Sequence, residues 1–309
     1  MCGRYALWDE EENLVPLFNV DRVFAPVQPT WNAAPSQLLP VVFERLIEPE
    51  ASNPHSGEPD VQVRVAASKP GLSGSKSQVG PEASKPRSDA AKTQPDGFVE
   101  RRLQPLQWGL VPSWARDARR PMINARSETA LQKPSFKASM RRQRCLVPAN
   151  GYFEWQTTPE GKQPFFLTKP PAGPNPTDPH ADPDVCAQTG RAPQAAEASA
   201  ANPAEVAASD PVMGFAGIYD AWQGPDGWLR TFAILTRAAP DALGHIHDRS
   251  PVVVPPDLWD EWLCPTIDTD AEVAALLDAI PAPNLMPRAV SKAVGNVANN
   301  NPSLVQSLD

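Results

Sequence analysis

Cysteine is scarce in this chain: four among 309 residues, at positions 2, 145, 186 and 264. None belongs to a C-x-x-C pair, and no histidine stands at metal-ligand spacing from them, so a structural zinc site is not expected. No apolar run reaches the length that spans a bilayer. No charged-then-apolar signal segment opens the sequence. The expectation is a cytoplasmic protein whose thiols stay reduced. Positive charge is also short, with a net charge of −8, which argues against a simple nucleic-acid binder. The shortage is uneven. Val99 to Arg144 holds eleven Lys and Arg against three Asp and Glu, whereas Pro255 to Asp309 holds two against eight. A basic stretch inside an acidic protein suggests a focused site for an anion; the bland alternative is a solvated helix face.

One stretch lacks sustained apolar periodicity and another has almost no large apolar residue. Residues 48–98 are rich in Ser, Pro, Lys and Asp, and residues 170–213 hold nine Pro and twelve Ala. Neither can bury enough surface to offset chain entropy, so both read as disordered or loop-like insertions. The length allows one large domain or two small ones. One domain over 2–309 is expected, because the apolar segments beside the insertions are each too small to fold alone and long surface loops cost little.

The remaining sequence carries strand signals: QLLPVVFER, CLVPANGYFEW running on to QPFFLT, MGFAGIYDAW, TFAILTRAA and SPVVVPP. Gln223 to Gly227 is expected to join two of these as a hairpin. Helices are fewer. DLWDEWL is one candidate; TDAEVAALLDAI is the clearest, with Thr269 and Glu272 as a capping box and Val273, Leu276, Leu277 and Ile280 at helical spacing. Many strands and few helices, without β–α alternation, predict an α+β or barrel-like domain.

The chain opens Met1-Cys2-Gly3-Arg4-Tyr5. A cysteine at a chain end is a poor staple, because chain ends are loosely held. Removal of Met1 would leave Cys2 with a free α-amine beside its thiol, two nucleophiles that titrate near ~8 and ~8.5. Three further stretches are dense in reactive residues. WGLVPSWA followed by INARSET holds Trp108, Trp114, Asn124, Arg126 and Glu128; ANGYFEW places Glu154 at a strand end; GHIHDRSP holds His245, His247, Asp248 and Arg249. Taken singly, Glu154 reads as an ordinary strand carboxylate, His247 as a loop histidine paired with Asp248, and Trp114 as core.

Together the motifs resemble the SRAP family, the SOS-response-associated peptidases. M-C-G-R, W-N-x-A-P (Trp31 to Pro35), W-G-L-x-P-x-W, N-A-R-x-E-T, C-L-x-P-A-x-G-Y-F-E-W and H-D-R occur in the family's order and span nearly the whole chain outside the insertions. Ser250 stands where the family usually has Met. The resemblance implies a single domain built on a curved, barrel-like, mostly antiparallel β-sheet with flanking helices. It also implies recognition of abasic sites in single-stranded DNA, with a covalent link through Cys2. The chemistry suits an N-terminal cysteine. The amine forms a Schiff base with the ring-opened sugar aldehyde, and the thiol on the next carbon closes a five-membered thiazolidine at high effective concentration.

By the same resemblance Glu154 is the general acid or base, and His247 donates a proton to the sugar oxygen with Asp248 orienting it. Asn124 holds the N-terminus or the sugar. Arg4, Arg126 and Arg249 grip phosphates, Trp114 and Trp155 stack on bases, and Thr236 contacts a phosphate. The basic run Lys133 to Arg144 is expected to extend the DNA track. No metal, no small-molecule cofactor and no membrane partner are implied; the protein is expected to be a monomer, nucleoid-associated when bound to DNA. An autopeptidase step removing Met1 would use the same thiol and Glu154. Two other readings remain: an N-terminal-nucleophile cysteine amidohydrolase or peptidase, disfavoured by Arg4 and by the lack of glutamine-binding motifs, and a non-covalent single-strand DNA-binding module, which leaves Cys2 unexplained.

Overall fold

A computed structural model describes residues 2–47, 98–170, 210–239 and 244–308. The two expected insertions, 48–98 and 170–213, lie outside the described residues except at their edges. The chain divides into two units, 1–45 with 101–309, and 46–100. Few residues of the second unit are described; both hydrophobic cores and the reactive residues belong to the first.

The described strands are β1 (Tyr5–Leu7), β2 (Arg22–Val23), β3 (Thr30–Ala33), β4 (Leu38–Ile47), β5 (Phe98–Trp108), β6 (Asn124–Arg126), β7 (Arg144–Ala149), β8 (Gly151–Thr158), β9 (Gly161–Thr168), β10 (Met213–Gly224), β11 (Gly227–Ala238), β12 (Arg249–Pro251), β13 (Val253–Val254) and β14 (Met286–Ala289). The helices are α1 (Glu11–Leu17), α2 (Ser127–Ala130), α3 (Pro134–Arg142), α4 (Trp259–Leu263) and α5 (Asp270–Ala279). Among the described residues no helix is long and apolar enough to cross a membrane.

The strands form two sheets. In the larger, β11, β10, β7, β4 and β5 run side by side, and β5 pairs back onto β11. Thr231 faces Gln107 and Phe232 faces Trp108 in that closing parallel pair, so five strands make a closed barrel. The smaller sheet has the order β14-β9-β8-β1-β3. Apart from the parallel pairs of β11 with β5 and β6, and of β2 with β5, the registers are antiparallel. This is the α+β, barrel-like architecture expected from the sequence.

Trp108, Trp262, Tyr5, Phe43, Phe215 and Phe232 are all fully buried and anchor the main core. Tyr5 and Trp108 meet with ring centroids 5.3 Å apart. A second, smaller core gathers Ala6, Phe153, Phe166, Val290, Val294, Leu304 and Val305, with Trp8, Trp31 and Trp155 packed on it. Strand alternation sorts the residues between the two. Tyr5 and Leu7 enter the main core and Ala6 the second; across the pair, Tyr152 enters the main core and Phe153 the second. The same alternation puts Glu154 on the Tyr152 face of β8, the face of the core that contains Cys2.

Three local features depart from the sequence reading. CLVPANGYFEW is not one strand: the chain breaks at Asn150, whose amide accepts from Trp8 N (2.9 Å) and donates to Asp9 Oδ2 (2.7 Å) and the Asp210 carbonyl (3.0 Å). The β10–β11 hairpin turns on two residues rather than five, because Gly224 pairs Gly227 and Gly227 takes a φ of +116°. The run Lys133 to Arg144 contains α3, whose Phe136 and Met140 are buried. Four of its five basic residues have internal partners. Lys137 and Arg141 pair with Asp270, and Arg142 with Asp268. Arg144 donates to the carbonyls of Met140, Arg141, Trp262 and Cys264, and burial pushes it down to about 10. Three of the eleven basic residues are therefore taken up in ion pairs between α3 and the acidic α5 region. The α5 capping box itself forms as expected, Thr269 Oγ1 accepting from Glu272 N at 3.2 Å.

Candidate active site

The N-terminal strand is laid against β8, with Tyr5 opposite Tyr152 and Ala6 opposite Gly151. Phe153 N donates to the Arg4 carbonyl at 2.9 Å, which carries the ladder one step past β1. Cys2 is 0% exposed and Glu154 4%. Burial pushes the Cys2 thiol well above the usual range, and the charge of Glu154 pushes it further. The Tyr152 hydroxyl is raised by its own burial, then by Cys2 and Glu154. Cys2, Glu154 and Tyr152 thus form one electrostatic cluster in a low-dielectric pocket of the fold.

Asn124 completes it from the other sheet. β6 runs parallel to β11, with Asn124 opposite Ile234 and Arg126 opposite Thr236. From there the Asn124 Nδ2 donates to the Cys2 carbonyl at 2.8 Å. Its Oδ1 is buried and has no hydrogen-bond partner among the described residues. A buried amide acceptor left open costs about 1–3 kcal/mol, so the site holds an acceptor oxygen in reserve beside Cys2.

His247 approaches along the edge of β11. Its Nδ1 accepts the backbone N–H of Arg249 at 3.0 Å and lies 2.9 Å from Asp248 Oδ1. The Arg249 guanidinium grips Glu128 with both ends of its fork, at 2.7 and 2.8 Å, and donates to the Thr236 carbonyl at 2.6 Å. Those hydrogen bonds hold the Glu128 carboxyl down to about 2. Thr236 is buried on β11, and its cross-strand neighbours are Arg126 of β6 and Pro251 of β12, so the strands that carry Arg249 and Asn124 both pair with β11. Ser250 is fully buried, and its Oγ has no partner among the described residues.

The residues expected on DNA divide into two groups. Arg126 is exposed, and Trp114 is 64% exposed. Trp114 sits on a loop closed by the Leu110–Met122 bridge and held by Asp220 Oδ2, which accepts from Ser113 N, and by Trp222 Nε1, which donates to the Ala115 carbonyl. Arg4, by contrast, is engaged: it donates to Asn32 Oδ1 (2.6 Å) and to the carbonyls of Val294 (2.9 Å) and Gly295 (3.3 Å). Arg249 is held by Glu128, and Trp155 is half-buried against the second core. Sequence reasoning did not single out Asn32, whose Nδ2 reaches three carbonyls of the C-terminal segment, at Val294, Asn296 and Asn299. The W-N-x-A-P motif that contains it was the available signal. It also missed the Glu128 fork, which no local pattern announces. Among the described residues no group of three or more His, Cys, Asp or Glu could hold a metal.

Comparison with known proteins places these features. The family model for SOS response associated peptidase (SRAP) matches residues 1–297. The abasic site processing protein YoqW of Bacillus subtilis is 26% identical over 314 residues, covering 99% of this chain and 100% of its own. The abasic site processing protein YedK of Escherichia coli is 30% identical over 205 residues, covering 66% of this chain and 74% of its own. The abasic site processing protein HMCES of Gallus gallus is 30% identical over 219 residues, with 68% and 59% covered. A crystal structure of a Bordetella bronchiseptica protein superposes with a TM-score of 0.54 at 19% identity, over 94% of this chain and 100% of that one, which is a likeness of fold. With motifs in family order, a matching barrel and a family model spanning almost its full length, the chain belongs to the SOS response associated peptidase (SRAP) family.

Proposed function

We propose that this protein recognises abasic sites in single-stranded DNA and joins itself to them through Cys2. The observation that carries the reading is the convergence on Cys2 of Asn124, by a 2.8 Å hydrogen bond, and Glu154, by its charge. The names of the relatives, abasic site processing proteins all, support the substrate.

The chemistry follows from the groups present. Removal of Met1, whether by a cellular aminopeptidase or by the Cys2 thiol with Glu154, frees the α-amine. The open acceptor Oδ1 of Asn124 then takes a hydrogen bond from that amine while Nδ2 holds the Cys2 carbonyl, which orients the nitrogen lone pair. His247 donates a hydrogen bond to the ring oxygen of the abasic sugar; the hemiacetal hydroxyl proton passes to the Glu154 carboxylate and, by way of water, onto the ring oxygen as the bond from C1′ to that oxygen breaks and the aldehyde forms. The amine adds to the aldehyde carbon, and loss of water gives the imine. The thiol adds next: a carbon–sulfur bond forms, the imine π-bond electrons go to nitrogen, and the thiol proton follows them by way of Glu154. The product is a thiazolidine whose mass is the Met1-free protein plus DNA minus water. Burial keeps the thiol protonated until the imine is in place, so the amine reacts first.

Arg126 and Trp114, both exposed, supply phosphate and base contacts to the single strand, and Trp155, on the strand that carries Glu154, stacks on a base beside the lesion. The protein acts as a monomer in the cytoplasm, on the nucleoid when bound. The test is incubation with a single-stranded oligonucleotide carrying one abasic site, read on a denaturing gel. A heat-stable adduct that Cys2→Ala abolishes supports the reading. No adduct from protein shown by mass to lack Met1 would overturn it.

A further inference from the structure

The Glu128 carboxylate stands between two pieces of backbone that must stay fixed for His247 to work. Its Oε1 accepts from the Ala238 N–H at 3.2 Å, at the end of β11, and both oxygens accept from the Arg249 fork. One residue further on, Ala239 N donates to the Asp248 carbonyl at 2.9 Å. The Arg249 guanidinium also caps the Thr236 carbonyl and is only 13% exposed, so Arg249 has little freedom. Its main-chain N–H points into His247 Nδ1 at 3.0 Å. A ring nitrogen that accepts carries no proton, so the neutral imidazole has its N–H at Nε2.

A competitor for the same nitrogen sits beside it. Asp248 Oδ1 is 2.9 Å from Nδ1 and favours a proton there. Its side chain is 86% exposed, so water weakens its pull. The Arg249 N–H prevails while the backbone is pinned. We infer that Glu128 is a positioning residue for His247, acting through Arg249 to hold the ring in the Nε2–H form that donates a hydrogen bond to the sugar ring oxygen. The inference rests on the proposed role of His247 as hydrogen-bond donor to the sugar ring oxygen, and it assigns a function to a carboxylate that touches no substrate.

The experiment uses full-length protein carrying ¹⁵N-labelled histidine and long-range ¹H–¹⁵N correlation near neutral pH. The wild type is expected to show His247 as the Nε2–H tautomer. Glu128→Ala is expected to shift it toward the Nδ1–H form, paired with Asp248, and to slow adduct formation at saturating DNA by roughly ten- to a hundredfold. Affinity for an abasic strand, measured on a Cys2→Ala background, should not fall, since freeing Arg249 removes no DNA contact. Glu128→Asp should keep the wild-type tautomer and most of the rate. Glu128 lies at a half-exposed position, and a melting curve shows whether the variant is folded. An unchanged tautomer in folded Glu128→Ala, or a loss of rate explained wholly by weaker binding, would overturn the inference. Because the tautomer is read without DNA, a failure of the crosslinking reading itself, with no adduct even from the wild type, is told apart from a failure here.

Discussion

Asn124 Nδ2 lies 2.8 Å from the carbonyl oxygen of Cys2, across the boundary between the two sheets. One amide thereby fixes Cys2 from the barrel side, while β8 pairs the strand that follows it on the other. An end of the chain is ordinarily loosely held; here it is buried. Removing the amide should act on rate more than on stability. Asn124→Ala loses one hydrogen bond, worth about 1 kcal/mol, and also removes the unsatisfied Oδ1, so the net change in melting should be small. The adduct rate should fall at least tenfold, measured by single-turnover gel assay.

Cys2→Ala and Cys2→Ser should both abolish the adduct but differ in stability. Alanine leaves a small void. Serine buries a more polar, more strongly hydrated hydroxyl in the low-dielectric site where the thiol meets one backbone hydrogen bond, at Arg4, at a cost of about 1–3 kcal/mol. Denaturant unfolding of the two variants should place serine below alanine.

Ser250 offers the opposite case. Its buried hydroxyl has no partner among the described residues. Ser250→Ala should raise stability by about 1 kcal/mol, read as a rise in melting temperature, without altering the reactive groups. That residue departs from the family pattern, and its burial shows why an apolar side chain fits there.

The Glu128–Arg249 pair makes a defined contribution to acid stability. Its carboxyl is at about 2 in the folded protein and near ~4.3 when unfolded. A depressed carboxylate stabilises above the unfolded value and loses that effect as the pH falls through the folded one. The melting-temperature gap between wild type and Glu128→Gln should therefore be constant above about pH 5 and close between about pH 4.3 and 2. Glu128 is 47% exposed, so solvent screening keeps the effect below about 1 kcal/mol.

Gly151 begins the strand that carries Glu154, where added bulk has nowhere to go. A Cβ there would lie 2.7 Å from the Leu167 carbonyl oxygen and would run into the Phe166 ring. Gly151→Ala should cost about 1–3 kcal/mol, with loss of adduct formation as β8 shifts. Chemical unfolding and the gel assay together check both parts.

What the sequence made legible was local. Thr269 and Glu272 announced the α5 cap because both halves of the box lie within one turn. The strand runs were visible from their apolar content. The break at Asn150 was not, because it depends on Asp9 and Asp210, distant in sequence. Asn124, Glu154 and His247 were found through motifs, yet their geometry needed the β6–β11 and β1–β8 pairings. The ion pairs of the basic run Lys133 to Arg144 were not legible, since its partners Asp268 and Asp270 lie more than a hundred residues on. Phe136 and Met140, four residues apart and both buried, were the overlooked sign of a helix there.

The most direct test of the account is intact-mass analysis of the protein after incubation with a single-stranded oligonucleotide bearing one abasic site. The account predicts a heat-stable species at the mass of the Met1-free chain plus the oligonucleotide minus one water, absent with Cys2→Ala and with undamaged DNA. Only unmodified, Met1-free protein in that spectrum would contradict it.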